Sequence, residues 1–281
     1  MTTIALPRAL ERPTTQTGTR AGWVVSDILT VTWRNLIALL RTPQNVFFSA
    51  VQPIMFVLLF VYVFGGAIHI PGVPYVDFLM PGVYVQTVAF GAVATAVGLS
   101  EDLHKGLIER FRALPMSRSA VLAGRTTADL VRNVFVVCII SAVGFAVGFR
   151  ISTNFGLFLC GALIVLLFSY TLCWGFATLG LSAPNAETAQ VMVFPFLFPL
   201  IFASSAFVPV SDMPGWLQAF AKYQPVTQVV DASRSLMTGG TLHNSGAVWA
   251  SLAWCFGLLI VLALHGSNLR LGRSTGPGSC C

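Results

Sequence analysis

The feature that most constrains this chain is a series of six long apolar runs. They lie near residues 46–66, 79–100, 130–149, 155–181, 189–208 and 247–267. A helix needs about 20 apolar residues to cross the ~30 Å hydrocarbon core of a bilayer, and each run reaches that length. Charged residues make up only 9% of the chain, too few for the surface of a water-soluble domain. The sequence therefore predicts an all-α integral membrane protein, with residues 1–281 forming a single transmembrane domain of six transmembrane helices.

The lysines and arginines indicate how these helices cross the membrane. All 16 except Arg150, Lys222 and Arg234 lie before the first run, in the stretch from the second run to the start of the third, or in the C-terminal tail. Cytoplasmic flanks carry the excess of basic residues in membrane proteins, so we predict a multi-pass protein of the cell inner (plasma) membrane with both termini cytoplasmic. This topology accounts for the net charge of +6, which therefore gives no reason to predict nucleic-acid binding.

Residues 1–45 are predicted to form a cytoplasmic N-terminal segment that contains an interfacial helix at 23–41. Asp27, Thr30 and Arg34 form a narrow polar stripe on this helix, and apolar side chains face away from it. Such a helix suits the plane of the membrane interface. The alternative, a seventh span, would place Asp27 and Arg34 near the bilayer centre, where charged side chains are costly.

Two connections between the runs are longer than ordinary turns. The cytoplasmic one, residues 101–129, begins with a short amphipathic helical pattern that ends at Pro115. This helix could cover the ends of the spans or dock a soluble partner, and its pattern fits both. The outer connection, residues 209–246, is too apolar for a free loop and predicts two short helices that break at Gln224 and Pro225. We expect these helices to dip into the outer leaflet as a re-entrant segment.

Motifs for nucleotide hydrolysis, catalysis and metal binding are absent from the sequence. Neither Lys105 nor Lys222 follows a glycine, so the chain has no phosphate-binding loop of the G-x-x-x-x-G-K-[ST] type. The four histidines form no paired-ligand pattern. Arg132, Arg150 and Glu187 are predicted near span ends, which leaves no charge deep in the membrane for a proton- or sodium-coupled carrier. We therefore predict no catalytic, cofactor-binding or metal site.

Neutral polar and aromatic side chains remain as candidates for a substrate path. Gln52 and Gln86 lie within the first and second spans, where each could be interhelical hydrogen-bond glue or part of a polar spot on the path. The fifth span contains Pro195 and Pro199, which predict a kinked helix, and its phenylalanines could line a path for an apolar molecule or face lipid. The predicted substrate-path residues are Gln52, Gln86, Phe194, Phe198 and Phe202.

Two stretches of the sequence carry a pattern seen in a known family. The first comprises Glu101, Gly106, Glu109, Arg110, Arg112, Leu114, Pro115, Ser117, Arg118, Gly124 and Arg125. The second comprises Phe207, Val208, Pro209, Met213, Pro214, Trp216, Pro225, Val226, Thr227, Asp231, Arg234, Gly239 and Gly240. Together they resemble the permease of a type-2 ABC exporter of the daunorubicin-resistance (multidrug efflux) kind. The resemblance covers nearly the whole chain and departs at Gln224, where asparagine is expected.

The resemblance implies a half-transporter. Two such membrane subunits, identical or paralogous, pair with each other, and two separate ATPase subunits that hold ATP and Mg²⁺ dock from the cytoplasm. It also implies export of hydrophobic or amphipathic compounds (drug, polyketide or lipid) and a coupling helix at 103–114. The implied ATPase-coupling residues are Glu101, Leu107, Glu109, Arg110, Phe111 and Arg112. An ATP-independent carrier or channel and a membrane enzyme acting on lipid remain as the other classes.

Overall fold

The computed structural model describes residues 20–41, 43–66, 73–106, 118–239 and 245–272 of the 281-residue chain. Within these ranges all regular structure is helical. The elements in chain order are α1 (Arg20–Arg41), α2 (Pro43–Leu59) with a π-helical turn (Phe60–Phe64), α3 (Tyr75–His104), α4 (Arg118–Val147), α5 (Phe155–Ser182), α6 (Ala186–Phe202), a 3₁₀ turn (Val210–Asp212), α7 (Gly215–Tyr223), α8 (Pro225–Met237) and α9 (Ser245–Gly272).

Helix length and composition agree with a chain that crosses a membrane several times. Two apolar helices are short: Ala50–Phe64 in α2 and its π-helical turn, and Ala186–Phe202, whose 17 residues extend about 25 Å. All six apolar helices overlap the runs predicted from the sequence, which confirms an all-helical membrane fold. Four described segments are long and apolar enough to span a bilayer: Tyr75–His104, Ala123–Val147, Phe155–Ser182 and Ser245–Leu262.

Helix α3 is the centre of the bundle. Its apolar window is 78% buried, against 17% for that of α9, and it packs on α2, α4, α5, α6 and α8. Two glycines permit this packing, because a Cβ added at Gly180 of α5 would overlap the backbone of Ala96, and one at Gly82 would overlap the backbone of Ala206. Small residues at such contacts let helix backbones approach closely inside a membrane.

Helix α1 confirms the helix predicted at 23–41 and packs along α4. Gly124 of α4 faces Val31, and the hydroxyl of Thr32 donates a hydrogen bond to the Gly124 carbonyl at 3.1 Å. Another face of α1 is exposed and includes Trp33. The helix is therefore attached to the bundle along one side.

The outer connection contains the two short helices that the sequence predicts. Gln224 separates α7 from α8 in an extended conformation, and Pro225 opens α8 at a position where a missing backbone N–H has no cost. The Gln224 side-chain amide donates to the Ala203 carbonyl just after α6. Because α8 also packs on α3, α5 and α9, this segment is part of the bundle and not a free loop.

The charge placement predicted for the third span is wrong. The sequence predicts a start at residue 130, which would leave Arg132 at a membrane edge. Helix α4 begins instead at Arg118, about three turns earlier, and both Asp129 and Arg132 are buried inside the bundle at 7% and 9% exposure. In the sequence, charged side chains before residue 130 end the apolar run. In the structure these side chains pair with other residues of the protein, so the helix extends through them.

Candidate functional site

A cavity of about 100 Å³ lies between α2, α3 and α4. Pro53 removes a backbone hydrogen bond of α2 beside Gln52, and the i, i+4 spacing of Gln86 and Phe90 places both on one face of α3. Gln52 and Gln86, which the sequence predicts separately, therefore line one cavity, here called the polar cavity. Its walls are Gln52, Pro53 and Phe56 of α2, Gln86, Thr87, Phe90, Gly91 and Ala94 of α3, and Arg132, Asn133 and Val136 of α4.

The polar groups of this cavity come mainly from α3 and α4. Gln86 is only 3% exposed, and its Oε1 has no hydrogen-bond partner among the residues described. Arg132 Nη2 donates to the Gly91 carbonyl, and Asn133 Nδ2 donates to Ser169 Oγ at 2.7 Å. A Cβ at Gly91 would overlap the Asn133 amide, so glycine is what lets these side chains reach α3.

Alternating charges connect the C-terminal end of α3 to the polar cavity. We call Asp102, Arg125, Asp129 and Arg132 the ion-pair series. Arg125 Nη1 lies 3.0 Å from Asp102 Oδ2, and the Asp129 carboxylate lies 3.7 Å from both Arg125 Nε and Arg132 Nη1. Thr95 of α3 donates a hydrogen bond to Asp129 at 2.7 Å. Side-chain exposure falls from 22% at Arg125 to 9% at Arg132, so the series becomes more buried toward the cavity.

Sequence reasoning missed the ion-pair series although a signal for it was present. Arg125, Asp129 and Arg132 follow one another at i, i+4 and i+7, which places three side chains of alternating charge on one helix face. The prediction assigns residues 101–129 to a cytoplasmic connection, and in a loop this spacing has no meaning. Only the extension of α4 to Arg118 turns the spacing into contacts.

Eight phenylalanines on α2, the π-helical turn, α3, α6 and the turn after α6 form a continuous set of ring contacts, here called the phenylalanine row. Neighbouring ring centroids lie 4.6 to 6.5 Å apart. The three predicted α6 rings contact one another in succession because they repeat every four residues; Phe194 is tilted against Phe198, and Phe198 stacks on Phe202. Phe90 contacts Phe194 and Phe198, and both Phe90 and Phe56 also line the polar cavity. The row consists of Phe64, Phe60, Phe56, Phe207, Phe202, Phe198, Phe194 and Phe90.

The predicted coupling residues are described only in part. Glu101, at the exposed end of α3, pairs with Lys105 Nζ at 2.9 Å, and this hydrogen bond raises the pKa of Lys105. Its neighbour Asp102 begins the ion-pair series. Leu107, Glu109, Arg110, Phe111 and Arg112 lie outside the described residues.

A buried arginine connects the outer connection to the rest of the bundle. The guanidinium of Arg234 in α8 donates to the Phe78 carbonyl at 3.0 and 3.2 Å, to the Ser205 carbonyl at 2.9 Å and to Asp231 at 2.9 Å. It also stacks 3.6 Å from the centroid of the Phe78 ring, while Ser205 Oγ donates to Asp231 at 2.7 Å. One side chain thus joins α8 to the start of α3 and to the turn after α6.

Comparison with known proteins agrees with this architecture. Residues 26–238 match the family model described as ABC-2 type transporter. The chain is 35% identical over 252 residues to the daunorubicin resistance ABC transporter permease protein DrrB1 of Streptomyces coeruleorubidus, covering 89% of this chain and 87% of that protein. It is 27% identical to the probable doxorubicin resistance ABC transporter permease protein DrrC of Mycobacterium tuberculosis, over 85% of this chain and 86% of that one. The chain is therefore a membrane permease of the ABC-2 type transporter family.

Proposed function

We propose that this permease is the membrane subunit of an ATP-driven exporter that moves hydrophobic or amphipathic compounds out of the cell. The observation that carries the proposal is the junction of the polar cavity with the phenylalanine row at Phe56 and Phe90. An amphipathic molecule needs a few hydrogen-bonding groups beside a larger apolar surface, and this junction supplies both. Two relatives are named for resistance to daunorubicin and doxorubicin, and the proposal extends bulky compounds of that kind to this chain.

The path for such a compound leads from an exposed surface into the bundle. Gln52 is exposed, Phe198 and Phe202 are 46% and 44% exposed, and Gln86, which lines the same cavity as Gln52, is buried. The proposed path residues are Gln52, Gln86, Phe194, Phe198 and Phe202. An amide facing lipid hydrocarbon would be costly, which favours another protein surface opposite Gln52. We assign that surface to a second copy of this chain or a paralogue, with the path between the two subunits.

The proposed topology has six spans, with α2 and α6 completing the set begun by the four long helices. Both termini are cytoplasmic, because the basic residues concentrate on that side. Helix α1 then lies at the cytoplasmic interface, and α7 and α8 form the outer re-entrant segment. The short α6 ends among buried groups of that segment, where Ser205 contacts Asp231 and the Gln224 amide contacts Ala203, so its backbone beyond Phe202 has protein partners.

The free energy for export comes from a separate ATPase subunit that holds ATP and Mg²⁺, since this chain has no phosphate-binding loop. Charge-assisted contacts from the acidic and basic coupling residues, with Phe111 as an apolar anchor, would hold that subunit. The ion-pair series starts beside Glu101, so a displacement of the coupling segment reaches the polar cavity through α3 and α4. The proposed coupling residues are Glu101, Leu107, Glu109, Arg110, Phe111 and Arg112.

The test is ATP hydrolysis by the purified chain in lipid, alone and with a co-expressed ABC ATPase subunit, scanned against amphipathic drugs and lipids. Hydrolysis is expected only with the partner and should be stimulated by one class of compound. A partner with its catalytic carboxylate removed is the control. Failure to associate with any ABC ATPase would overturn the proposal. Transport that persists without an ATPase would instead indicate an ATP-independent carrier, for which the buried Asp129 would be the first group to examine.

A further inference from the structure

Gln86 lines the polar cavity, and its side chain contains an unused hydrogen-bond acceptor. Its Oε1 is buried and has no partner among the described residues, although nearly all buried polar groups in folded proteins are hydrogen-bonded. The cavity beside it is large enough to admit a small group from a ligand. An acceptor without a partner at the wall of a cavity indicates that the missing partner is a hydrogen-bond donor that enters from outside the chain.

The charges around the cavity restrict which donor this is. Arg132 is the charged residue of the cavity wall, and it is accompanied by Asp129 at 3.7 Å. The ion-pair series as a whole contains two arginines and two aspartates, so its formal charges cancel. A cationic head group would be repelled by the guanidinium of Arg132. An anionic head group would gain little attraction from that guanidinium, because Asp129 already neutralises its charge. Either ion would also lose its hydration inside the membrane, at a cost that the cavity does not offset.

We propose that the polar cavity binds a neutral hydroxyl or amide group of an amphipathic ligand, whose O–H or N–H donates to Gln86 Oε1. The ligand oxygen accepts from donors on the other walls, which belong to Gln52 of α2 and Arg132 of α4. The apolar body of the ligand lies along the phenylalanine row, which meets the cavity at Phe56 and Phe90. This inference rests on the proposed function for the idea that the cavity belongs to the export path, and it adds the chemistry of the group that the cavity selects.

Four fluorescent probes with one shared body test this selection: 1-pyrenebutanol, 1-butylpyrene, 1-pyrenebutylamine and 1-pyrenebutyrate. The full chain is placed in lipid nanodiscs, and binding is followed by energy transfer from tryptophan to pyrene at equal probe content in the membrane. 1-Butylpyrene reports the apolar contribution alone. We expect the alcohol to bind about fivefold more tightly than 1-butylpyrene, as one net neutral hydrogen bond implies, and the two ionised probes to bind no better than 1-butylpyrene.

Gln86→Leu removes the acceptor and keeps a side chain of similar size. 1-Pyrenebutanol should then bind only as tightly as 1-butylpyrene. Gln190→Leu is the matched control, because Gln190 is an exposed glutamine of α6 outside the cavity wall, and it should leave the fivefold preference intact. Ala94→Leu fills the cavity without touching Gln86 and should also abolish the preference. Size-exclusion profiles show that each variant remains folded, and Ala94→Leu keeps the test decisive if Gln86→Leu does not fold.

The inference is overturned if the alcohol binds no better than 1-butylpyrene, or if its advantage survives both Gln86→Leu and Ala94→Leu, since the cavity would then hold only water. It is also overturned if the amine or the carboxylate binds best. Because this measurement uses the permease without an ATPase, a negative result with intact partner-dependent hydrolysis rejects the head-group selection alone. Selective binding without any ATPase partner would reject the exporter and keep the site.

Discussion

Replacement of Arg234 by methionine should loosen the outer segment from the rest of the bundle. Arg234 is 4% exposed, and its guanidinium donates to the carbonyls of Phe78 and Ser205 as well as to Asp231. Methionine keeps much of the side-chain volume but supplies no donor. It leaves two carbonyls short of their partner and one carboxylate without a counter-charge.

The cost can be set from these contacts. Breaking a buried ion pair by removing one partner costs about 3–5 kcal/mol, and the hydrogen bonds to the carbonyls are part of the same interaction and do not add in full. Asp231 remains 31% exposed, so water recovers part of the loss and we expect the lower value, about 3 kcal/mol. For a chain of this size, about 1 kcal/mol corresponds to roughly 2–4 °C in Tm, which gives a decrease of about 6–12 °C.

The assay is loss of the monodisperse peak in size-exclusion chromatography after heating in detergent. Lys222→Met is the matched control, because Lys222 is an exposed cation on the neighbouring α7, and its Tm should change by less than about 2 °C. The double variant Asp231→Asn with Arg234→Met should melt above Arg234→Met alone, since it removes the uncompensated carboxylate. A Tm for Arg234→Met within about 2 °C of the wild type would refute the reasoning, as would a double variant that melts below Arg234→Met.

Three further predictions follow from the packing and from the proposed sites. Gly180→Ala should lower the yield of folded protein far more than Gly257→Ala, because a Cβ at Gly180 overlaps the backbone of Ala96 in α3 whereas one at Gly257 of α9 meets nothing within 4 Å, and fluorescence-detected size exclusion would show this; equal yields would contradict the close contact. Reversal of Arg110 and Arg112 to glutamate should abolish stimulation of the partner ATPase without unfolding the spans, and unchanged stimulation would remove the coupling assignment. Phe198→Ala should raise the half-maximal concentration of an aromatic stimulator about threefold to tenfold, as one aromatic pair implies, whereas Phe196→Ala, which truncates the 66% exposed ring on another face of α6, should not.

The sequence predicts those parts of the fold that depend on local signals. The apolar runs identify the helices because length and hydropathy are properties of neighbouring residues, and the break between α7 and α8 follows from Pro225 alone. The start of α4 at Arg118 could not be found in this way. It depends on Asp102 and Thr95, two residues of another helix that hold Arg125 and Asp129 inside the bundle.

In the candidate site too, local signals in the sequence identify some residues, whereas their contacts depend on how the helices pack. Gln52 and Gln86 stand out in the sequence because amides are rare in apolar helices, but the fact that they share a cavity depends on how α2 and α3 pack. Phe90 and Phe207 look like ordinary apolar residues in the sequence. Their role in joining the row becomes visible only once their rings are seen in contact with Phe198 and Phe202.

The ion-pair series holds α3 and α4 together between Asp102 and the polar cavity. From Asp102 to Gly91, α3 covers 11 residues, about 16 Å, and α4 is held beside it by Asp102 to Arg125, Thr95 to Asp129, and Arg132 to the Gly91 carbonyl. Each contact joins α3 to α4, so the two helices cannot slide past each other without separating buried charges from their partners. A movement imposed at the Asp102 end of α3 therefore displaces α3 and α4 together, and the wall of the polar cavity that they form moves relative to Gln52 and Phe56 on α2.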